Sequence, residues 1–214
     1  MSNYIYMGVI APSVIIIPLA IASYKKKKDW GVSEKLLISY LLCSALFNVI
    51  AYLIAFKFSN LPLLHLYTII EFWLLCFLFR SFFIETNVRV ILKYMAVCFT
   101  LFAVTYIVLS ASLFKYNTLP RFLESILVLG QCIYFLYTDL TRVKSSQPTF
   151  NFVVVVGLML YFSSSSILFA FSEIILQNQE LSIIIWNIHA TIMGIMYLMF
   201  AYAFLQLNKD KRRI

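Results

Sequence analysis

Five ionisable side chains interrupt the long apolar runs of this 214-residue sequence: His65, Glu71, Glu124, Glu173 and His189. Imidazoles and carboxylates can bind cations, exchange protons and ligate metals, and they are costly to place in hydrocarbon. Each is therefore a candidate member of a functional site. Glu71 lies near the middle of its apolar run, so we expect His65, His189 or a proton to neutralise it.

Other polar residues lie near these positions at helical spacing. Thr68 is three residues from both His65 and Glu71, and Arg121 is placed to pair with Glu124 three residues later. By the helical rise, the ionisable residues lie between about 5 and 15 Å from one end of their runs, which predicts a polar cavity in one half of the membrane. A purely structural role in helix packing is the alternative. The candidate ligand- or ion-binding residues are Asn48, His65, Thr68, Glu71, Glu124, Gln131, Glu173, Asn187 and His189.

A metal site is a second option for the same residues. A catalytic zinc site needs three protein ligands, and His65 and His189 with Glu71 or Glu124 could supply two imidazoles and a carboxylate. The H-E-x-x-H pattern is missing from the sequence. The seven-helix membrane hydrolases that include the alkaline ceramidases use three histidines with Asp and Ser, whereas this chain has two histidines. We therefore predict no firm metal site and retain His65, His189 and Glu71 as weak candidates.

The composition decides which elements must position these residues. Hydrophobic residues make up 63% of the chain and charged residues 12%, and the mean hydropathy is +0.91. A soluble domain has about 25% charged residues, so a soluble enzyme is excluded. An apolar run of about 20 residues spans a membrane as a helix. We predict an all-α bundle that fills residues 1–214 as one domain, with seven spans at about 4–23, 35–56, 61–82, 91–113, 119–138, 151–176 and 182–206.

The basic residues predict the orientation of this bundle. Of the 17 Lys and Arg residues, 14 fall in breaks on one side of the predicted membrane. Basic residues remain in the cytoplasm, so the N-terminus is predicted outside and the C-terminus inside. The net charge of +8 is dispersed among these breaks, which argues against nucleic acid as a partner. A run that follows the first span is the expected contact for anionic lipid: Lys25, Lys26, Lys27 and Lys28.

Two resemblances bear on the class of protein. The stretch His65-Leu66-Tyr67-Thr68-Ile69-Ile70-Glu71-Phe72 resembles an H-x-Y-T-x-x-E-F pattern of uncharacterised bacterial seven-helix membrane proteins, a family with no assigned activity. It implies a multi-pass protein of the bacterial plasma (inner) membrane. The predicted topology is also similar to that of microbial rhodopsins. Those proteins need a lysine in the last helix, and positions 192–198 contain none, so covalent retinal is excluded as a cofactor.

The sequence favours a membrane protein that binds a small solute or ion, alone or with proton coupling, in the predicted cavity. It would act as a transporter or as the membrane component of an assembly, in contact with lipid and with a protein partner or a second copy. A His–Glu pair suits proton coupling because imidazole titrates near neutral pH. Two alternatives stay open: a sensor that signals through a separate cytoplasmic partner, and an intramembrane metal-dependent lipid hydrolase. An enzyme is the less favoured class.

Overall fold

The computed structural model describes residues 6–24, 30–55, 57–110, 113–141 and 150–210, and these residues form helices joined by short connections. Seven of the helices are long and apolar enough to cross a membrane, which confirms the predicted seven-helix multi-pass architecture. The helices are α1 (Tyr6–Tyr24), α2 (Val32–Ala55), α3 (Leu61–Phe82), α4 (Thr86–Leu109), α5 (Thr118–Thr141), α6 (Phe150–Ala170), the short α7 (Ser172–Gln177) and α8 (Gln179–Asp210).

Proline interrupts the first helix. Helix α1 consists of a π-helical turn over Tyr6–Ile10, a short turn over Ala11–Ser13 and a regular helix over Ile16–Tyr24. Pro18 has no N–H to donate to the carbonyl oxygen four residues earlier, on Val14. That oxygen accepts a 3.0 Å hydrogen bond from the N–H of Ile17 instead. The break therefore lies one turn before Pro18.

Six helices pack in a closed order, in which α1 contacts α2, followed by α3, α5, α6 and α8, and α8 returns to α1. Helix α4 packs against α3 and α5, and the indole N–H of Trp73 donates a 2.8 Å hydrogen bond to the Thr100 hydroxyl between α3 and α4. Helices α6 and α8 approach closely at Gly157, where a Cβ atom would lie 3.3 Å from the Phe200 ring. This arrangement directs the side chains of α2, α3, α5, α6 and α8 toward a shared interior.

Apolar side chains fill the interior of the bundle and also cover its outer surface, as in a membrane protein. The interior contains fully buried aromatic side chains, among them Tyr40, Phe72, Phe162 and Phe200. Large aliphatic and aromatic side chains cover much of the outside, along every long helix. An apolar surface of this extent is incompatible with a monomeric soluble protein and fits contact with lipid.

The two ends of the bundle are named here by their connections. The upper end holds residues 57–60 and 113–117, and the lower end holds residues 83–85 between α3 and α4. The outside position of the N-terminus stays a prediction from the Lys and Arg distribution. The four lysines at 25–28 lie outside the described residues.

Candidate functional site

A buried ion triad joins α3 and α5. Arg121, in the first turn of α5, donates from Nη1 to Oε2 of Glu124 at 2.7 Å and to Oε2 of Glu71 on α3. The Glu71 and Glu124 side chains are 1% and 0% exposed, and that of Arg121 is 16% exposed. The predicted pairing of Arg121 with Glu124 is confirmed. Arg121 also supplies the positive charge beside Glu71, the role that the sequence had assigned to His65, His189 or a proton.

Two tyrosines complete the contacts of Glu71. The hydroxyl groups of Tyr40 and Tyr67 donate to Oε1 of Glu71 at 3.0 and 3.1 Å. The Tyr67 hydroxyl also lies 2.9 Å from that of Ser44 on α2. The Arg121 guanidinium carbon is 5.4 Å from the centroid of the Tyr67 ring, within the range of a cation–π contact. Glu71 is thus held by α2, α3 and α5 together.

Glu71 and Arg121 line a cavity of about 120 Å³ between five helices. An engineered protein cavity of about 150 Å³ accepts benzene, so the space suits a solute of similar or smaller size. Four tyrosines, one each from α2, α3, α6 and α8, contribute hydroxyl groups and aromatic rings to the cavity wall. The lining residues are Tyr40, Phe47, Asn48, Leu63, Leu64, Tyr67, Glu71, Arg121, Tyr161, Met193 and Tyr197.

The triad has two carboxyl groups for one guanidinium. Two carboxylates share one guanidinium, so the fully ionised triad has a formal charge of −1. Oε1 of Glu124 is buried and has no hydrogen-bond partner among the described residues. A charge that is buried in this way must be balanced. A proton on one carboxyl or a cation in the adjacent cavity would balance it.

His65 and Thr68 contact the connection that precedes α5. Nε2 of His65 lies 3.2 Å from the carbonyl oxygen of Lys115, and the Asn117 side chain donates a 2.6 Å hydrogen bond to the Thr68 hydroxyl. Both residues are buried, and neither is among the residues that line the cavity. They fix the position of residues 115–117 against α3.

His189 belongs to a separate cluster between α6 and α8. Its Nδ1 lies 2.9 Å from the hydroxyl of Ser164, and its ring centroid is 5.0 Å from that of Tyr161 and 6.1 Å from that of Trp186. Tyr161 lies between this cluster and the cavity, because its side chain belongs to both. The predicted band of polar residues is therefore divided among several local clusters.

The remaining sequence candidates occupy different places. Asn48 is exposed and lines the cavity. Gln131 lies deeper along α5, where its Nε2 is 3.8 Å from Sγ of Cys76. The backbone carbonyl of Asn187 accepts a hydrogen bond from the Thr191 hydroxyl. Glu173 lies on α7, and its side chain is outside the described part of the structure.

Metal ligands are not gathered in the described part of the chain, where no three His, Cys, Asp or Glu side chains lie close enough to hold an ion. His65, on α3, and His189, on α8, belong to the two different clusters above.

Comparison of the chain with protein-family models, curated proteins and solved structures finds no match. The ion triad and the cavity beside it are therefore the features of this chain that bear on its function.

The cavity tyrosines and the pairing of Arg121 with Glu71 were not predicted from the sequence. Tyr67 stands in the H-x-Y-T-x-x-E-F stretch four residues before Glu71, at the spacing of helix neighbours, and that signal was available. The other three cavity tyrosines, Tyr40, Tyr161 and Tyr197, come from three other helices. Nothing in their local sequence distinguishes them from the 10 tyrosines of the chain that do not line the cavity.

Proposed function

We propose that this integral membrane protein binds a small cation in the tyrosine-lined cavity and carries it across the membrane. The observation that carries the proposal is the triad of Glu71, Arg121 and Glu124, in which two buried carboxylates share one guanidinium beside the cavity. Burying an ion pair costs desolvation energy that can exceed the attraction between the charges, so such a pair adds little net stability. Ionisable residues inside membrane helices mark binding sites and ion pathways.

The chemistry of the cavity favours an organic ammonium ion. With both carboxyls ionised the triad has a formal charge of −1, which a cation in the cavity would balance, with Glu71 as the counter-ion on the cavity wall. Tyrosine rings bind ammonium groups through their negative faces, and four tyrosines line this space. The Arg121 guanidinium opposes an incoming cation, but its charge is already matched by one carboxylate. The volume of about 120 Å³ limits the ammonium ion to a few carbon atoms.

The depth of the site supports transport. Glu71 is ten residues from the start of α3, which places it about 15 Å along the helix and near the middle of a hydrocarbon core of about 30 Å. Transporters place their substrate sites near the membrane midplane, between helices that can move against each other. Arg121 and Tyr67 bring α5 and α3 to this point, and Tyr161 and Tyr197 bring α6 and α8.

Proton exchange follows from the charge count. In the empty cavity, a proton shared by Glu71 and Glu124 neutralises the triad. A bound ammonium ion takes over that role, so one proton leaves as one cation enters. Glu71 accepts hydrogen bonds from Tyr40, Tyr67 and Arg121, whereas one oxygen of Glu124 has no partner among the described residues. Glu124 is therefore the better carrier of the proton.

The test compares three probes of similar shape. Purified full-length protein in detergent is titrated with tert-butylammonium, the neutral tert-butanol and the anionic pivalate, and heat is measured in buffers with different ionisation enthalpies. We expect tert-butylammonium to bind about tenfold or more tightly than tert-butanol, a difference of about 1.4 kcal/mol, with release of one proton. Glu124→Gln should remove the preference, and Glu180→Gln, which changes an exposed carboxylate, should keep it.

Each other outcome has a definite meaning. Tighter binding of pivalate would make the cavity an anion site and contradict the cation proposal. No binding of any probe would contradict the proposal that the cavity binds a small organic ammonium ion. Uptake into proteoliposomes then decides between the transporter and the sensor, since a sensor binds the cation without moving it.

A further inference from the structure

A second charged site lies at the lower end of the bundle, far from the triad along α3. An open groove of about 380 Å³ runs between α2, α3 and the start of α4. Arg80 is two residues before the end of α3, and Arg89 is three residues after the start of α4. Both α-carbons therefore lie within about 5 Å of their helix ends, at the depth where headgroups meet hydrocarbon. The lining residues are Val32, Leu36, Phe77, Arg80, Ser81 and Arg89.

Neighbouring groups position both arginines, and Arg80 has one buried donor without a partner among the described residues. The Arg80 guanidinium lies 5.8 Å from the centroid of the Phe77 ring, and its buried Nε has no hydrogen-bond partner among the described residues. Nε of Arg89 donates a 2.6 Å hydrogen bond to the carbonyl oxygen of Phe83, which orients the guanidinium. Among the described residues, none that lines the groove carries a carboxylate. Two guanidinium groups in one groove can bind an anion that accepts several hydrogen bonds, such as a phosphate.

We infer that this groove binds the phosphate group of an anionic phospholipid, with Arg80 and Arg89 as the phosphate ligands. The rest of the groove matches the rest of such a lipid. Ser81 adds a hydroxyl beside the arginines, and Val32, Leu36 and Phe77 present apolar surface to the first part of an acyl chain. Basic pockets between membrane helices at headgroup depth recognise anionic lipids in this way.

The inference is independent of the cation site and of the lysine run at 25–28. It concerns other helices, the opposite end of α3 and a ligand of opposite charge. It makes the lipid composition of the membrane a factor in how α2, α3 and α4 pack together, because the groove includes side chains from all three.

The test measures lipid retention by the full chain after delipidation in detergent. Native mass spectrometry with added phosphatidylglycerol or phosphatidylcholine should show about tenfold tighter binding of phosphatidylglycerol. Arg80→Gln with Arg89→Gln should abolish that preference. Lys57→Gln with Lys115→Gln removes the same charge from exposed upper-end residues, and this matched control should keep it. Inorganic phosphate at the same concentration should leave lipid binding unchanged.

Three results would overturn the inference: equal binding of the two lipids by the native chain, an unchanged preference in the folded double Gln variant, or full displacement of the lipid by inorganic phosphate. If the double Gln variant does not fold, Arg80→Lys with Arg89→Lys decides. It keeps the charge but loses the planar two-point geometry, so affinity for phosphatidylglycerol should fall severalfold. An unchanged affinity in that variant would exclude the arginines as the phosphate ligands.

Discussion

Replacement of Arg121 by glutamine tests the triad most directly. The change leaves Glu71 and Glu124, which are 1% and 0% exposed, without the guanidinium that bridges them. Removal of one partner from a buried ion pair costs about 3–5 kcal/mol. With one carboxyl of the empty triad protonated, the change leaves one buried carboxylate without its counter-charge, so we expect a loss within that range. A total stability of about 5–15 kcal/mol makes such a loss easy to measure.

Buried thiols provide the assay. Cys76 and Cys132 are 1% and 0% exposed, whereas Cys98 is exposed and Cys43 partly so. With Cys43 and Cys98 replaced by alanine, reaction of a maleimide dye with the remaining thiols reports unfolding as SDS is added to a mild detergent. The midpoint and slope of that transition give the free energy of unfolding for each variant.

A neutral triad is the matched control for this measurement. Arg121→Gln combined with Glu71→Gln and Glu124→Gln removes all three charges while preserving polar side chains of similar length. Replacing a whole buried ion network by neutral groups is often neutral or stabilising. The triple variant should therefore regain most of the stability that the single Arg121→Gln variant loses. Equal destabilisation of the single and triple variants, or no effect of the single change, would refute the electrostatic account.

Two further predictions concern the framework around the triad. His65→Ala should lower the free energy of unfolding by about 2 kcal/mol or more, because it removes a buried ring together with its hydrogen bond to the Lys115 carbonyl. His65→Gln should restore part of that loss through its side-chain amide, and the thiol assay measures both. Gly157→Leu should cost about 1–3 kcal/mol in the same assay, since even a Cβ atom there would lie 3.3 Å from the Phe200 ring; a stability equal to that of the native chain would show that α6 and α8 do not pack as described.

The number and type of elements were predictable because the membrane restricts both. A run of apolar residues that must cross hydrocarbon has to satisfy its backbone hydrogen bonds internally, which leaves the helix as the solution. The bounds were less predictable. The sixth run was expected to continue to residue 176, but α6 ends at Ala170 and a separate α7 covers Ser172–Gln177. An apolar sequence is compatible with either arrangement, so composition alone does not reveal the break at residue 171.

The candidate site was predictable only in part. Glu71 and Glu124 were recognised by their cost in a membrane, and the pairing of Arg121 with Glu124 follows from helix spacing. The bond from Arg121 to Glu71 joins residues 50 positions apart. It depends on α3 lying directly against α5 although α4 separates them in the chain. Hydropathy identifies the helices and contains no information about this order of packing.

The H-x-Y-T-x-x-E-F stretch explains how the charged site is held in place. His65 and Thr68 contact the connection at Lys115 and Asn117, immediately before α5 begins. The carbonyl oxygen of Asn117 in turn accepts the backbone N–H of Arg121. One face of α3 therefore fixes the first turn of α5, and a second face presents Glu71 to the guanidinium that this turn carries.

This arrangement connects the packing of α3 against α5 with the position of the buried charges. We expect a substitution of His65 or Thr68 that frees the connection at 115–117 to displace the Arg121 guanidinium, although neither side chain lines the cavity. The position of Arg121 sets which carboxylate it neutralises and hence where the surplus negative charge of the triad lies. The polar residues of α3 therefore act together: His65 and Thr68 hold the connection before α5, and Glu71 pairs with the guanidinium of Arg121, the group on which the proposed cation site depends.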